Sequence, residues 1–417
     1  MSSYQPDLTS ARDRHLFGPG PKRIVALSGG GVRGAISVAF LKRIEEMLDA
    51  KAGKPVRLGD YFDLIGGTST GALIAGALAL GYRVDEITSF YTEHADEVFA
   101  PRGGLLQLPF LQSKFDVRGL REQLEAVIGE RLLGTPDLIT GFACVTKRID
   151  TGSVWVISNN PRAPFWEDTD SYIGNRHYSL ANLVRASTAA PQYFDPELLP
   201  IGAALLPPEL EGEAGVIAAL AAMGAEPILT GWPSGTVDWS QYGLFVDGGV
   251  SPYNNPSLAL LQLVSFKAHG INWPLSPQTL SITSVGTGHF RPRLAPDSLG
   301  FGRVPKLAVH ALISMMADAE KQATTMLQWL GETSRPRLID SEVGTLEGEG
   351  PPNGKLFRFA GYDVELEPEW LRRELGYDAD EQAVLALRRL DNAEAAKELY
   401  RIGELAAAKL VRAEDWV

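Results

Sequence analysis

Three short stretches bring together residue types that could do chemistry. Gly67-Thr68-Ser69-Thr70-Gly71 joins a short apolar run beginning at Asp63 to an Ala/Leu-rich run of helical character. It reads as strand, sharp turn and helix, with a serine at the apex. Glycines suit the flanks because strained backbone angles and the close approach of two elements leave no room for side chains beside the serine. The hydroxyl of Ser69 would then stand out at a helix N-terminus as a nucleophile. Taken alone, a Gly-x-Ser-x-Gly is a weak signal in a chain with 43 glycines.

The second stretch, Gly29-Gly30-Gly31-Val32-Arg33-Gly34, follows an apolar run and opens a helical pattern. One reading is a dinucleotide-binding loop, which needs an acidic residue closing the second strand. That strand ends instead in Gly66-Gly67, and the nearest acid, Asp63, stands at its start. The other reading is a row of backbone N–H groups suited to an anion, including the oxyanion of an ester under attack. A serine turn one helix later favours it. The third stretch is Asp247-Gly248-Gly249 after Leu244-Phe245-Val246. Alone it is an ordinary turn, but beside the other two Asp247 becomes a candidate base for Ser69. His289, in Gly286-Thr287-Gly288-His289 after another apolar run, offers a Ser69–Asp247–His289 triad in the chain order of α/β-hydrolases. Against the triad, the Gly loop here occupies the first βα turn, where those enzymes do not keep their oxyanion loop.

The elements that must position these groups alternate. Strands are predicted at Arg23 to Ser28, Asp63 to Gly67, Leu138 to Thr146, Ser153 to Ser158, Leu244 to Val246 and Leu280 to Val285, each short and largely apolar. Helices are predicted at Ala35 to Ala50, with Ile36, Ala39, Phe40, Ile44 and Met47 on one face, and at Gly71 to Leu80, Val84 to Phe99, Val117 to Ile128, Leu180 to Ser187, Pro256 to Ala268, Lys306 to Leu330 and Asp380 to Val411. Arg102 to Phe115 reads as loop. Strands alternating with helices point to a three-layer α/β fold around a mostly parallel sheet. Between Gly202 and Tyr242 the texture changes to a Pro-rich stretch around an Ala/Leu/Met run, with Trp232 and Trp239, which reads as an inserted lid or a small subdomain.

Composition excludes several classes. Apolar residues at 45% and charged ones at 22% are ordinary globular values across 417 residues, enough to bury a substantial core. A net charge of -12, from 39 basic and 51 acidic residues, argues against nucleic acid as a partner. The single cysteine, Cys144, excludes an internal disulfide, fits a reducing compartment and sits in an apolar context that reads as core. No zinc-ligand spacing occurs among the six histidines, so no metal and no cofactor is expected. The polar start, Met1 to Pro21, does not read as a secretion signal, and no segment reaches 18 uncharged apolar residues. A cytoplasmic protein is expected.

The three blocks Gly29 to Gly34, Gly67 to Gly71 and Asp247 to Gly249, in that order, resemble the signature blocks of the patatin-like phospholipases. Ala186-Ser187-Thr188-Ala189-Ala190-Pro191 with Tyr193-Phe194, and Asn254-Asn255-Pro256, are similar to further family segments. The resemblance runs from about Arg23 to Pro256. It implies a serine carboxylic-ester hydrolase of lipid degradation and metabolism, of phospholipase A or lysophospholipase type, using a Ser–Asp dyad. Ser69 would be the nucleophile, Asp247 the base, and Gly29, Gly30 and Gly31 the oxyanion hole. Arg33 would orient substrate or fix the loop. The implied partner is a lipid or phospholipid acyl ester, met through transient peripheral contact with a membrane surface. The organisation expected is an N-terminal tail over 1–20, a catalytic domain over 21–330 with its insert at about 202–242, and a helical C-terminal region over 331–417. Where the family has a short link before its aspartate, this chain has the long insert. That departure motivates a second function, a phospholipase effector whose latent activity waits for a ligand or partner.

Overall fold

The computed structural model describes residues 4–93, 117–191, 193–203, 238–294 and 303–416. The end of the helix predicted to Phe99, the loop predicted at Arg102 to Phe115 and most of the insert, including Trp232, lie outside the described residues. Nine strands form one sheet: β1 (Lys22–Leu27), β2 (Leu64–Thr68), β3 (Gly141–Arg148), β4 (Ser153–Ser158), β5 (Glu197–Pro200), β6 (Tyr242–Asp247), β7 (Leu280–Val285), β8 (Gly331–Glu332) and β9 (Phe357–Tyr362). Their order is β5-β6-β3-β2-β1-β7-β9-β8, with β4 also paired to β3. Strands β3, β2, β1, β7, β9 and β8 run parallel, whereas β4 and β6 meet β3 antiparallel and β5 meets β6 antiparallel.

Side chains alternate across a strand, so a sheet covered on both faces needs apolar residues at successive positions. In β1, Val25 and Leu27 join a core with helices α2 (Gly34–Ala52), α4 (Thr70–Ala79), α5 (Val84–Thr92), α7 (Leu180–Ser187) and α12 (Ala396–Leu410). Ile24 and Ala26 face a second core with α8 (Ser257–Ser265) and with Leu16 of α1 (Ala11–Phe17). The result is the three-layer α/β arrangement. Helices α3 (Leu58–Tyr61), α6 (Val117–Ile128), α9 (Arg303–Leu330), α10 (Pro368–Leu375) and α11 (Glu381–Arg388) complete the described set. Cys144 is fully buried in the first core, and burial pushes its thiol up to about 12.

Three element predictions are corrected. Residues 11–17 of the expected tail form α1, whose Leu16 and Asp13 are buried. The C-terminal stretch is not wholly helical, since β8 and β9 extend the central sheet within it. The single helix expected from Asp380 to Val411 is two, α11 and α12, broken at Arg389 to Asn392. The break has a physical reason: the carbonyl of Leu390 turns away to accept the N–H of Val32 in the Gly-rich loop at 3.0 Å.

Candidate active site

At the end of β2 the chain turns through Ser69 into α4, with φ 56° and ψ −127° at the serine. A non-glycine residue there costs about 1–3 kcal/mol and persists only where its surroundings enforce it. The flanking glycines allow the turn to close. A Cβ on Gly67 would lie 2.0 Å from the Gly71 carbonyl oxygen, and one on Gly71 would lie 2.2 Å from that of Leu27. Ser69 itself is 8% exposed. Its backbone N–H donates to Ser187 Oγ at 2.8 Å.

Register brings Asp247 to it. Thr68 pairs with Val145 of β3, and the next residue of β3, Thr146, pairs with Asp247. Ser69 and Asp247 therefore flank β3 at one level. Strand β6 runs against β3 and meets it where β3 extends beyond β2. The carboxylate is buried, accepts the Gly249 N–H at 2.6 Å and lies beside the Ser69 side chain. Burial raises its pKa to about 6, against the lowering effects of the Ser69 hydroxyl, the Gly249 N–H and Arg185.

The Gly-rich loop lies beside the serine. The N–H of Gly29 is taken by the Asn254 carbonyl at 3.1 Å and that of Val32 by Leu390. Among the described residues no acceptor is paired with the N–H of Gly30 or Gly31. Arg33 is almost buried and donates through Nη1 to the Gly288 carbonyl at 3.0 Å, which ties the loop to the turn after β7. Its Nε has no partner and burial draws its pKa down to about 10. A cavity of about 680 Å³ covers Ser69, Asp247, Gly30 and Gly31. One set of its lining residues is apolar, Leu73, Phe90, Leu120 and Phe194, and another is charged, Arg33, Arg291, Arg388 and Glu320.

His289 also lines the cavity, but its Nδ1 bonds Asp363 at 2.9 Å rather than Asp247. The triad written as Ser69–Asp247–His289 is therefore not assembled. Asp363, one residue past β9, was missed in the sequence; the alternation of Phe357 and Phe359 was the signal that a strand led to it. No group of three or more His, Cys, Asp or Glu is placed to hold a metal ion among the described residues.

The family profile described as patatin-like phospholipase matches residues 25–261, which carry all three blocks. The chain belongs to the patatin-like phospholipase family. Within it, the chain is similar to the cGAMP-activated phospholipase of Escherichia coli strain TW11681, 30% identical over 177 residues covering 42% of this chain and 48% of that one. It is similar to the cUMP-AMP-activated phospholipase of Escherichia coli, 44% identical over 90 residues covering 22% and 26%. Each match spans less than half the length of these patatin-like relatives. Among solved structures, human GIVD cytosolic phospholipase A2 aligns over 96% of this chain and 59% of its own, with a TM-score of 0.40 and 12% identity. No helix among the described residues is long and apolar enough to cross a membrane.

Proposed function

We propose that this chain is a lipid acyl hydrolase that works through an acyl-Ser69 intermediate and a Ser69–Asp247 dyad. The observation that carries the reading is the nearness of the Ser69 side chain, held on a strained elbow, to a buried carboxylate whose pKa stands at about 6. An ordinary carboxylate near pH 4 is a weak base for a serine; one lifted by burial is better matched to neutral pH. Asp247 takes the Ser69 proton as Oγ attacks the ester carbonyl, then returns it to the departing alkoxide. A water deprotonated by Asp247 attacks the acyl-serine, and the fatty acid leaves as Ser69 is reprotonated. The N–H groups of Gly30 and Gly31 are supported as oxyanion donors by their lack of an acceptor among the described residues, and one such donor is worth about 10² to 10³ in rate. The donation of Gly29 to Asn254 sets it apart from them. The apolar lining suits an acyl chain, and Arg33, Arg291 and Arg388 suit a phosphate-bearing head group. The test is lipid profiling of a mixed phospholipid extract after exposure to the wild-type protein and to Ser69→Ala. Fatty acid release by the wild type alone is expected, and equal release by both would overturn the dyad.

A second reading concerns control, and the names of the two Escherichia coli relatives favour it. In this reading a cyclic dinucleotide raises the turnover of this chain. Adding cGAMP or cUMP-AMP to the purified protein during hydrolysis of a p-nitrophenyl ester tests it; an unchanged rate with both counts against this form of control.

A further inference from the structure

The segment Arg185 to Ala189, at the C-terminal end of α7, touches both halves of the proposed dyad. Ser187 Oγ accepts the backbone N–H of Ser69 at 2.8 Å and donates to the Val145 carbonyl of β3 at 2.6 Å. Two residues on, the Ala189 carbonyl accepts the backbone N–H of Asp247 at 2.9 Å. One turn of chain thus grips the main chain of nucleophile and base together. The N–H of Ser69 precedes α4 and has no partner within that helix, so the bond must come from elsewhere. Ser187 supplies it, and at 0% exposed it leaves no room for solvent to do so instead. Its one hydroxyl proton is committed to Val145, which leaves only lone pairs for Ser69. Ser187 is therefore an acceptor in this site and not a rival nucleophile.

We propose that Ser187 is a positioning residue for the chemistry at Ser69: its hydroxyl pins the strained elbow to β3, so that Ser69 Oγ stays beside Asp247 while the oxyanion N–H groups remain in reach. The inference rests on the dyad reading above. A buried serine at a helix end could be no more than a stabilising hydrogen bond, so the test needs a comparator that loses the same kind of bond elsewhere. Thr140, fully buried just before β3, donates its hydroxyl to the Phe62 carbonyl at 2.6 Å and lies at the far end of the strand from the site.

Ser187→Ala, Ser187→Thr, Thr140→Val and Ser69→Ala are compared by melting temperature, by kcat and KM on a p-nitrophenyl ester, and by the rate at which a fluorophosphonate labels Ser69. With the elbow unpinned, kcat of Ser187→Ala falls by about 10- to 100-fold, as expected of a small misplacement of reacting groups, while KM stays within about threefold. Labelling slows in parallel, Ser187→Thr recovers most of the rate, and Thr140→Val melts lower without losing kcat. Should Ser187→Ala not fold, Ser187→Cys, similar in size but with a weak sulfur acceptor, must show the same loss of kcat. A kcat within about twofold of wild type in Ser187→Ala or Ser187→Cys, or an equal loss in Thr140→Val, overturns the proposal. If that happens while Ser69→Ala is inactive, only the role of Ser187 fails. Turnover surviving in Ser69→Ala would remove the dyad beneath it.

Discussion

Asp247 and Asp363 stand at or just beyond the end of a strand of one sheet, 5% and 7% exposed, yet they are kept in opposite states of readiness. Around Asp247 the near polar groups are neutral, the Gly249 N–H that it accepts and the adjacent Ser69 hydroxyl, and burial wins, lifting its pKa to about 6. Burial would lift Asp363 too, but His289 at 2.9 Å, Arg337 at 3.6 Å and the N–H groups of Gly288 and Val364 outweigh it and hold its carboxyl below the usual range. A carboxylate ringed by charges and N–H donors is stabilised as an anion and has little appetite for a proton. One whose near polar groups are neutral, out of water, retains it. The comparison teaches that the partner set, more than burial, separates the proposed base from the anchor.

The comparison is broken most directly by exchanging each carboxylate for its amide. Asp247→Asn should lower kcat/KM on a short ester by about 10³-fold or more, the scale on which removal of a member of a catalytic unit is felt; a loss under tenfold would sink its role as base. Wild-type kcat/KM should then rise with pH to a plateau above about 6, because the base acts only when ionised and burial sets that pKa. A flat profile from pH 5 to 8 would contradict it. Asp363→Asn and His289→Ala should each cost less than about tenfold in rate, since their bonds hold the turn after β7 rather than the reacting proton. A loss in His289→Ala equal to that in Asp247→Asn would restore a histidine to the mechanism.

The smallest effects are on stability, and they carry opposite signs. The folded pKa of Asp247 is raised, so its contribution is present below about pH 4 and lost as pH rises through about 6. Asp247→Asn should therefore be more stable than wild type at pH 8, by up to about 3 kcal/mol, with the gap closing at pH 4. The folded pKa of Asp363 is lowered, so its contribution is present above about pH 4 and lost as pH falls through the folded value. Asp363→Asn should be the less stable protein at neutral pH and approach wild type in acid. Chemical denaturation at pH 4, 6 and 8 reads both; a destabilised Asp247→Asn at pH 8 would reverse the account of burial.

The sequence disclosed the local devices best. The turn at Ser69 was legible because its glycines sit where two backbones nearly touch, and Ser153 to Ser158, Leu180 to Ser187 and Leu280 to Val285 have the ends that apolar runs and turn residues suggest. What was hidden depends on pairing between distant segments. Nothing in Leu244 to Asp247 says that it runs against β3, and nothing near Asp380 says that Leu390 must leave its helix to meet Val32. The stretch from Asp380 to Val411 looked like one helix because two separate helices each place apolar residues, Val384 and Leu387 in one and Leu399 and Ile402 in the other, on the core side. Ser187 lay in a segment that the resemblance marked, but its hydrogen bonds to β2's elbow and to β3 exist only once the sheet has formed.

The joint at Leu390 also bears on the order of assembly. Domains and their parts are laid down from the N-terminus as a chain is made, and the Gly-rich loop is finished early. One of its N–H groups receives its partner only when the segment between α11 and α12 arrives, more than three hundred residues later. Until then the loop has a spare donor and no neighbour at Leu390, so the proposed oxyanion loop is among the last parts of the molecule to be tuned. A chain interrupted or clipped before residue 390 would carry both residues of the proposed dyad and still lack that contact to the loop.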